Sequence, residues 1–228
     1  AREGSAVTPS RNRVTPLGEV VAIPLRGAWT GNRGILHRGE QIVRFHASDL
    51  WITCALRYKD WWHEQWRPHH FTWLYFHDEA VSLAAGHRPC GLCRRADHVA
   101  YQAAVSEGLG CDRPVLASEL DRRLQTERLR RGRGLDRARD RRLWQAPASE
   151  LPDGTVIVEE GVTRLLLGAR TLAFSFAGWH DPRPRPAQSV TVLTPPTSVL
   201  ALSHGFRPVL HPSATSAFST PASEAARS

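Results

Sequence analysis

The pair Cys90 and Cys93, in the stretch LAAGHRPCGLCRR, constrains the fold of this chain more than any other feature. Two cysteines three residues apart, on a tight turn that leads into a helix, turn both sulfurs toward one point. The helix N-terminus also favours the thiolate form of a cysteine. The pair is therefore predicted to be half of a metal site, and a redox dithiol and two packed thiols are the alternatives.

The surroundings of the pair favour a metal over the redox alternative. A thioredoxin-like dithiol normally follows a strand and has an aromatic residue just before its first cysteine. Here Pro89 precedes Cys90, and a short helix is predicted before that, capped by Asp78 and stopped at Gly86.

The composition sets the class of protein. The chain has 228 residues, of which 41% are hydrophobic, so it can bury a sizeable core without needing disulfides or a metal for stability. Its apolar runs are too short to predict a membrane helix, and no signal peptide is visible at the N-terminus. We therefore expect a cytoplasmic protein without a membrane partner. In that compartment four cysteines indicate metal ligands before disulfides.

Two further ligands are needed to close a structural zinc site. Cys54 lies in the β-prone run WITCALRY, where a cysteine is often simply a buried thiol, and Cys111 follows the second predicted helix. Imidazoles are plentiful upstream, among them His37 and His46.

The segment FHDEAVSLAAGHRPCGLCRR resembles the second half of the Ada-type zinc-binding domain, which is also appended to bacterial nucleases as a small zinc module. The resemblance covers about 20 residues and says nothing about residues 110–228. It is carried by Phe76, Glu79, Ala80, Ala85, Gly86, Arg88, Pro89, Cys90 and Cys93.

The resemblance implies a zinc ion whose first two ligands lie upstream, as Cys plus Cys or His plus Cys. The preferred ligand set is His37, Cys54, Cys90 and Cys93, with His46 as the rival of His37. The family's upstream ligands are only a few residues apart, whereas His37 and Cys54 are 17 apart. With His37 in the place of the methyl-accepting cysteine, the family's methyl transfer is not expected, and the zinc is expected to be mainly structural.

The charge predicts an anionic partner. The net charge is +8, and Lys59 is the only lysine. A surplus of this sign favours nucleic acid, with DNA preferred over RNA. The expected phosphate contacts are Arg88, Arg94, Arg95, Arg130, Arg131 and Arg133, although interleaved Asp and Glu residues also fit a solvated helix. A cluster of tryptophans around residues 61–73 fits either base stacking or the core.

Two other functions remain open. One is a metal-dependent nuclease, for which His69, His70 and Asp78 are the weak catalytic candidates. The other is a protein-interaction module with a structural zinc. No G-x-S-x-G, P-loop, G-x-G-x-x-G or H-E-x-x-H motif is present, so the hydrolase, NTPase, dinucleotide and zincin classes lose their usual support.

The predicted fold class is α+β: a small β-hairpin plus helices around the zinc site, a basic helical segment and a β-rich C-terminal half. The predicted boundaries are a disordered N-terminus at 1–13, a zinc-binding region at 14–110, the basic helical segment at 111–146, a β-rich region at 147–212 packed on the first, and a disordered tail at 213–228.

Overall fold

The structure, a computed structural model, describes residues 9–130 and 138–217 and has the predicted mixture of helices and strands. A six-stranded mixed sheet forms its N-terminal half, in the order β2-β1-β7-β3-β6-β8. These strands are β1 (Arg11–Val14), β2 (Val20–Ala22), β3 (Trp29–Asn32), β6 (Ile52–Cys54), β7 (Leu74–Phe76) and β8 (Arg88–Pro89). A separate two-stranded hairpin, β4 (His37–Arg38) and β5 (Gln41–Ile42), lies between β3 and β6 in sequence.

The N-terminal half has three helices: α1 (Glu79–Ala84), which lies between β7 and β8, and α2 (Arg95–Gly108) and α3 (Ala117–Arg128), which follow β8. The predicted helix start and stop around α1 are confirmed. The Asp78 side chain accepts a hydrogen bond from the Val81 amide at 2.9 Å, and Gly86 follows the helix with φ at +88°. That conformation suits glycine, because it has no Cβ.

A second six-stranded sheet, antiparallel throughout, forms the C-terminal half in the order β13-β12-β11-β10-β14-β9. Its strands are β9 (Trp144–Pro147), β10 (Val156–Glu159), β11 (Val162–Leu167), β12 (Arg170–Ser175), β13 (Gly178–Pro184) and β14 (Ser189–Val192). After β14 the described residues form α4 (Pro196–Ser203) and α5 (Ser213–Ser216). Turns at Asp153-Gly154 and Glu160-Gly161 flank β10.

The two halves share one hydrophobic core. Val81 of α1 and Phe76 of β7 pack in the same buried cluster as Leu165 and Trp179 of the second sheet. A second cluster joins α2 to α4. The Trp179 indole also donates a hydrogen bond of 2.6 Å to the Asp78 carboxylate, which links the second sheet to the cap of α1.

The observed boundaries differ from those expected. Strand β1 begins at Arg11, inside the segment expected to be disordered, and α5 lies at the start of the expected tail. The expected basic segment ends within β9, which belongs to the second sheet. Local composition did not reveal these elements because each is fixed by a distant partner rather than by its own pattern. None of the helices in the described ranges is long and apolar enough to cross a membrane.

Candidate metal centre

Three cysteines meet where two parallel strands end. Strands β6 and β8 pair in parallel, with Thr53 opposite Pro89. The Cys90 amide continues this ladder by donating a 2.9 Å hydrogen bond to the Thr53 carbonyl. Cys54 ends β6 and Cys90 directly follows β8, so the two side chains leave the same edge of the sheet.

The turn after β8 brings Cys93 to the same point. The Arg94 amide donates to the Cys90 carbonyl at 3.2 Å, and the Leu92 amide donates to the Cys90 sulfur at 3.4 Å. Helix α2 begins two residues after Cys93. The C-x-x-C turn therefore leads into a helix, as the sequence predicts, but it directly follows the short strand β8, which the sequence analysis did not expect.

The sulfurs of Cys54, Cys90 and Cys93 all lie within 4.8 Å of one another. Tetrahedral coordination with bonds of 2.3 Å separates neighbouring sulfurs by about 3.8 Å, so a small adjustment of the side chains would hold a metal ion. No Asp, Glu or His of the described residues joins this group. The three thiols are thus the protein ligands that the chain brings together.

Hydrogen bonds within the thiol group shift the pKa values of its cysteines in opposite directions. Hydrogen bonds from the Cys54 and Cys93 thiols and from backbone amides hold the pKa of Cys90 far below its usual range, although burial acts to raise it. The same hydrogen bonds to Cys90 and Cys93, together with burial, raise the pKa of Cys54. The amide donors at the turn favour a thiolate at Cys90, and a thiolate is the form that binds metal.

The expected histidine ligand is not part of the group, and this corrects the ligand set preferred from the sequence. The Nδ1 atom of His37 lies 2.7 Å from the Thr72 hydroxyl, and its ring packs edge-on against Trp66. The rival, His46, packs against Phe45 and Trp51. His37 lies in β4 of the two-stranded hairpin, and its contact with Thr72 holds it away from the strand that ends at Cys54.

Cys111 lies outside the group as well. It follows the C-terminal end of α2, while Cys93 precedes the other end. A helix of 14 residues is about 20 Å long, so the two ends are too far apart for one metal ion. Cys111 is exposed and serves below as a control position.

A cavity of about 310 Å³ adjoins the three thiols, and all three cysteines line it. Its remaining wall is mostly aliphatic and aromatic, and it includes the exposed Trp61. Further apolar residues of the wall are Leu50, Ile52, Leu56, Tyr58, Phe71, Trp73 and Leu92, and the polar ones are Asn32, Arg88 and His98.

His98, in α2, was not singled out as part of the site. Its Nδ1 atom lies 3.2 Å from the Pro89 carbonyl, and the ring stands over Gly91 between the two cysteines of the turn. Burial, followed by the charge of Arg88, lowers the pKa of this imidazole, so it is neutral at pH 7. The C-x-x-C-x-x-x-x-H spacing in the sequence was the available signal.

Two of the expected phosphate contacts are instead buried in ion pairs. Arg88 binds Asp121 of α3 through two nitrogens, at 2.7 and 2.8 Å. Arg94 pairs with the buried Glu79 at 2.7 Å and stacks over the Trp29 ring. Neither guanidinium is presented to solvent, because each compensates a carboxylate that folding removes from water.

The other expected phosphate contacts have different positions. Arg95, at the start of α2, is exposed, and so is Arg130, whose amide bonds the Asp140 carbonyl. Arg131 and Arg133 lie outside the described residues. The basic patch expected from the sequence is therefore represented near the thiol group by Arg95 alone.

The candidate catalytic residues do not form a common site. Both oxygens of Asp78 are used, because one caps α1 and the other accepts from Trp179 and from the His211 amide. His69 is exposed, and the Nδ1 atom of His70 lies 2.9 Å from the Pro68 carbonyl. Asp78 is thus a structural residue that joins α1 to the C-terminal half.

Comparison of the chain with protein-family models, with curated proteins and with solved structures gave no match. The chemistry of the centre is therefore inferred from its own residues. These are three convergent thiols, a neutral imidazole beside them and an apolar cavity onto which the thiols face.

Proposed function

We propose that the protein binds one zinc ion through Cys54, Cys90 and Cys93, and that this ion mainly stabilises the fold. Three thiolates at this spacing suit zinc, which accepts sulfur ligands in tetrahedral geometry. The ion would join the ends of β6 and β8 to the start of α2. Those strands pair over only two residues each, so metal coordination at their ends would stabilise this region more than the hydrogen bonds between them do.

We further propose that the protein associates with nucleic acid, preferring DNA to RNA. The observation that carries this proposal is the exposure of Trp61 and Trp62, which are 63% and 77% accessible to solvent. Large apolar side chains that stay in water mark binding surfaces when they are adjacent. Trp61 also lines the thiol cavity, so this exposed indole adjoins the thiol group.

Cations accompany these indoles. Arg57 and Lys59 precede them in the same loop and are exposed, although Asp60 and Glu64 offset part of their charge. Indoles stack on unpaired bases with about 1–3 kcal/mol each, while cations contact phosphates in a salt-dependent way. Arg88 and Arg94 have an indirect role in this proposal, since they hold the metal-bearing turn in place rather than contacting phosphate.

The metal is tested by elemental analysis of protein purified without added zinc. We expect one zinc per chain in the wild type and in Cys111→Ser, and less than about a tenth of that in Cys54→Ser and Cys90→Ser. Full zinc content in Cys54→Ser would contradict the three-thiol site. A wild type without metal would overturn the zinc proposal.

The partner is tested by binding of fluorescent single-stranded DNA and RNA between 50 and 200 mM salt, roughly the range over which counterion release is measured. Replacing Trp61 and Trp62 by alanine should weaken binding at least about tenfold, since each stacked base contributes 1–3 kcal/mol. Leu116→Ala, at an apolar residue of similar exposure before α3, is the control.

The alternatives give different outcomes in the same assay. Cleavage of the oligonucleotides that depends on a divalent cation would indicate a nuclease. Absence of salt-dependent binding to either nucleic acid, in a protein that holds its zinc, would favour the protein-interaction module and overturn the nucleic-acid proposal.

A further inference from the structure

The thiol group supplies three ligands, whereas a structural zinc site has four. No further cysteine or histidine of the described residues lies within this group. All four cysteines and all eleven histidines lie within the described ranges, and none besides the three cysteines joins the group. Cys111 lies at the far end of α2.

His98 is the nearest alternative. Its ring is held by Nδ1 against the Pro89 carbonyl, and the ring lies over Gly91, with Nε2 3.4 Å from the position that a Cβ on Gly91 would occupy. In this position it forms part of the cavity wall rather than part of the thiol group. A three-ligand site with an accessible fourth position is the arrangement that binds exogenous ligands.

The cavity determines what can reach that position. All three cysteines line it, so the side of the group without a protein ligand faces the cavity. Its wall carries Phe71, Trp73, Leu56 and Ile52, and few polar groups. A hydrated phosphate, sulfate or carboxylate would lose its water there for few hydrogen bonds in return, because Arg88 is already paired with Asp121 and His98 Nδ1 contacts the Pro89 carbonyl. A thiol with an apolar substituent suits this position. Its sulfur is a ligand that zinc and cobalt accept, and its substituent can be buried in the apolar cavity.

We propose that the fourth coordination position takes an organic thiol with an aromatic or branched aliphatic substituent, whose apolar part fills the cavity. The thiol gives its proton to solvent, its sulfur bonds to the metal, and the three cysteines stay bound; nothing is oxidised or reduced. The cavity's 310 Å³ is at the lower end of the range of small-ligand pockets, about 300–1,000 Å³, which suits a single ring. This inference rests on the proposed metal site but not on nucleic-acid binding.

The test uses the full chain loaded with Co²⁺, whose sulfur-to-metal absorption reports the number of bound thiolates. Benzyl mercaptan is titrated into the protein in a phosphine reductant, and 2-mercaptoethanol and glutathione are the comparison thiols. We expect the absorption to rise from that of three sulfurs to that of four. Benzyl mercaptan should bind at least about tenfold more tightly than 2-mercaptoethanol, because its ring is buried.

Two variants show whether thiol binding depends on the cavity and on the open coordination position. Leu56→Asp, in the cavity wall, should weaken benzyl mercaptan binding about tenfold without changing cobalt loading, because it places a charge beside the ring. Val162→Asp, at an exposed apolar residue on β11, is the matched control. His98→Ala should leave the spectrum of the thiol-free protein unchanged.

Three results would overturn the proposal while leaving the metal site intact. The first is a cobalt spectrum that does not respond to thiols. The second is a spectrum of four sulfurs before any thiol is added. The third is a response that appears only in His98→Ala, which would make His98 the fourth ligand. Failure of the wild type to bind cobalt would remove this inference and the zinc proposal together, but not the nucleic-acid proposal.

Discussion

Arginine side chains fill parts of the interior that apolar residues normally occupy. In the described part of the chain, Trp51 is fully buried, and the guanidinium groups of Arg33 and Arg128 both lie over its ring, each 4.3 Å from the ring centre. Arg141 is also buried and donates to the Leu17, Ala84 and Leu193 carbonyls. The net charge of +8 therefore overstates the cations available on the surface.

Arg94 and Arg95 are neighbours in sequence with opposite roles, which makes them a matched pair for mutagenesis. Arg94→Gln leaves Glu79 buried without its partner, and this should cost about 3–5 kcal/mol of unfolding free energy. Arg95→Gln removes an exposed side chain and should change stability by less than about 0.5 kcal/mol. Urea unfolding measures both, and equal effects would show that the Arg94–Glu79 contact is not a buried pair.

His87 links stability to pH. Burial, reinforced by the charges of Arg33, Arg128 and Arg141, holds its pKa well below its usual range, and its Nε2 accepts a hydrogen bond from Arg33. The folded protein keeps His87 neutral, whereas the unfolded chain protonates it near pH 6.5, so stability falls as pH drops below that value.

The variant His87→Gln should reduce this loss, because glutamine keeps an acceptor but does not titrate. Between pH 6.5 and 5.5 we expect the wild type to lose about 1 kcal/mol more unfolding free energy than the variant. Urea unfolding at both pH values is the measurement. Parallel pH profiles for the two proteins would mean that His87 is already charged when folded.

The residues of the candidate site were predictable to different degrees. The turn with Cys90 and Cys93 has a local signature, and the convergence of Cys54 with them is observed. The positions of His37, Arg88 and Arg94 were not predictable. Each depends on a partner far along the chain, such as Thr72, Asp121 or Glu79. Such partners cannot be identified from the spacing of residues in the sequence.

Among the elements, β3 and β6 approach each other unusually closely. A Cβ on Gly31 would lie 2.1 Å from the Ile52 carbonyl oxygen, which belongs to the strand that carries Cys54. Gly31→Ala must therefore displace β6. We expect a loss of at least about 2 kcal/mol in unfolding free energy, together with weaker zinc binding.

Gly168→Ala is the comparison for this variant, since nothing lies near its Cβ position and only its φ of +58° is unfavourable. It should cost about 1 kcal/mol and leave zinc binding unchanged. Chelator competition measures the zinc affinity of both variants. Wild-type affinity in Gly31→Ala would show that the β3–β6 approach does not position Cys54.

Short-range elements were predictable and long-range pairings were not. The strand at 74–76 and the helix capped by Asp78 follow from local residues, and both are confirmed. The parallel pairing of β6 with β8 joins residues more than 30 positions apart, and the pattern of either strand alone does not specify it. That pairing is nevertheless what brings Cys54 to the turn.

At the scale of the whole molecule, the shared core makes the two halves one folding unit. Residues 1–146 include the three cysteines but lack the partners of α1 and α2, namely the second sheet and α4. We expect this fragment to be unfolded by circular dichroism and not to bind one zinc tightly, because its core residues would face water. A folded fragment with one tightly bound zinc would establish an independent N-terminal domain.

Helix α2 runs from the thiol turn to the contact of Gly108 with Leu200 in α4, where a Cβ would come within 2.5 Å of the leucine. Because α2 is held at both ends, a displacement of its first turn shifts the whole helix. Removal of the metal should therefore speed hydrogen–deuterium exchange not only at residues 90–95 but also in α4, about 20 Å away. The amides of β12 and β13, at one edge of the second sheet, would keep their rates.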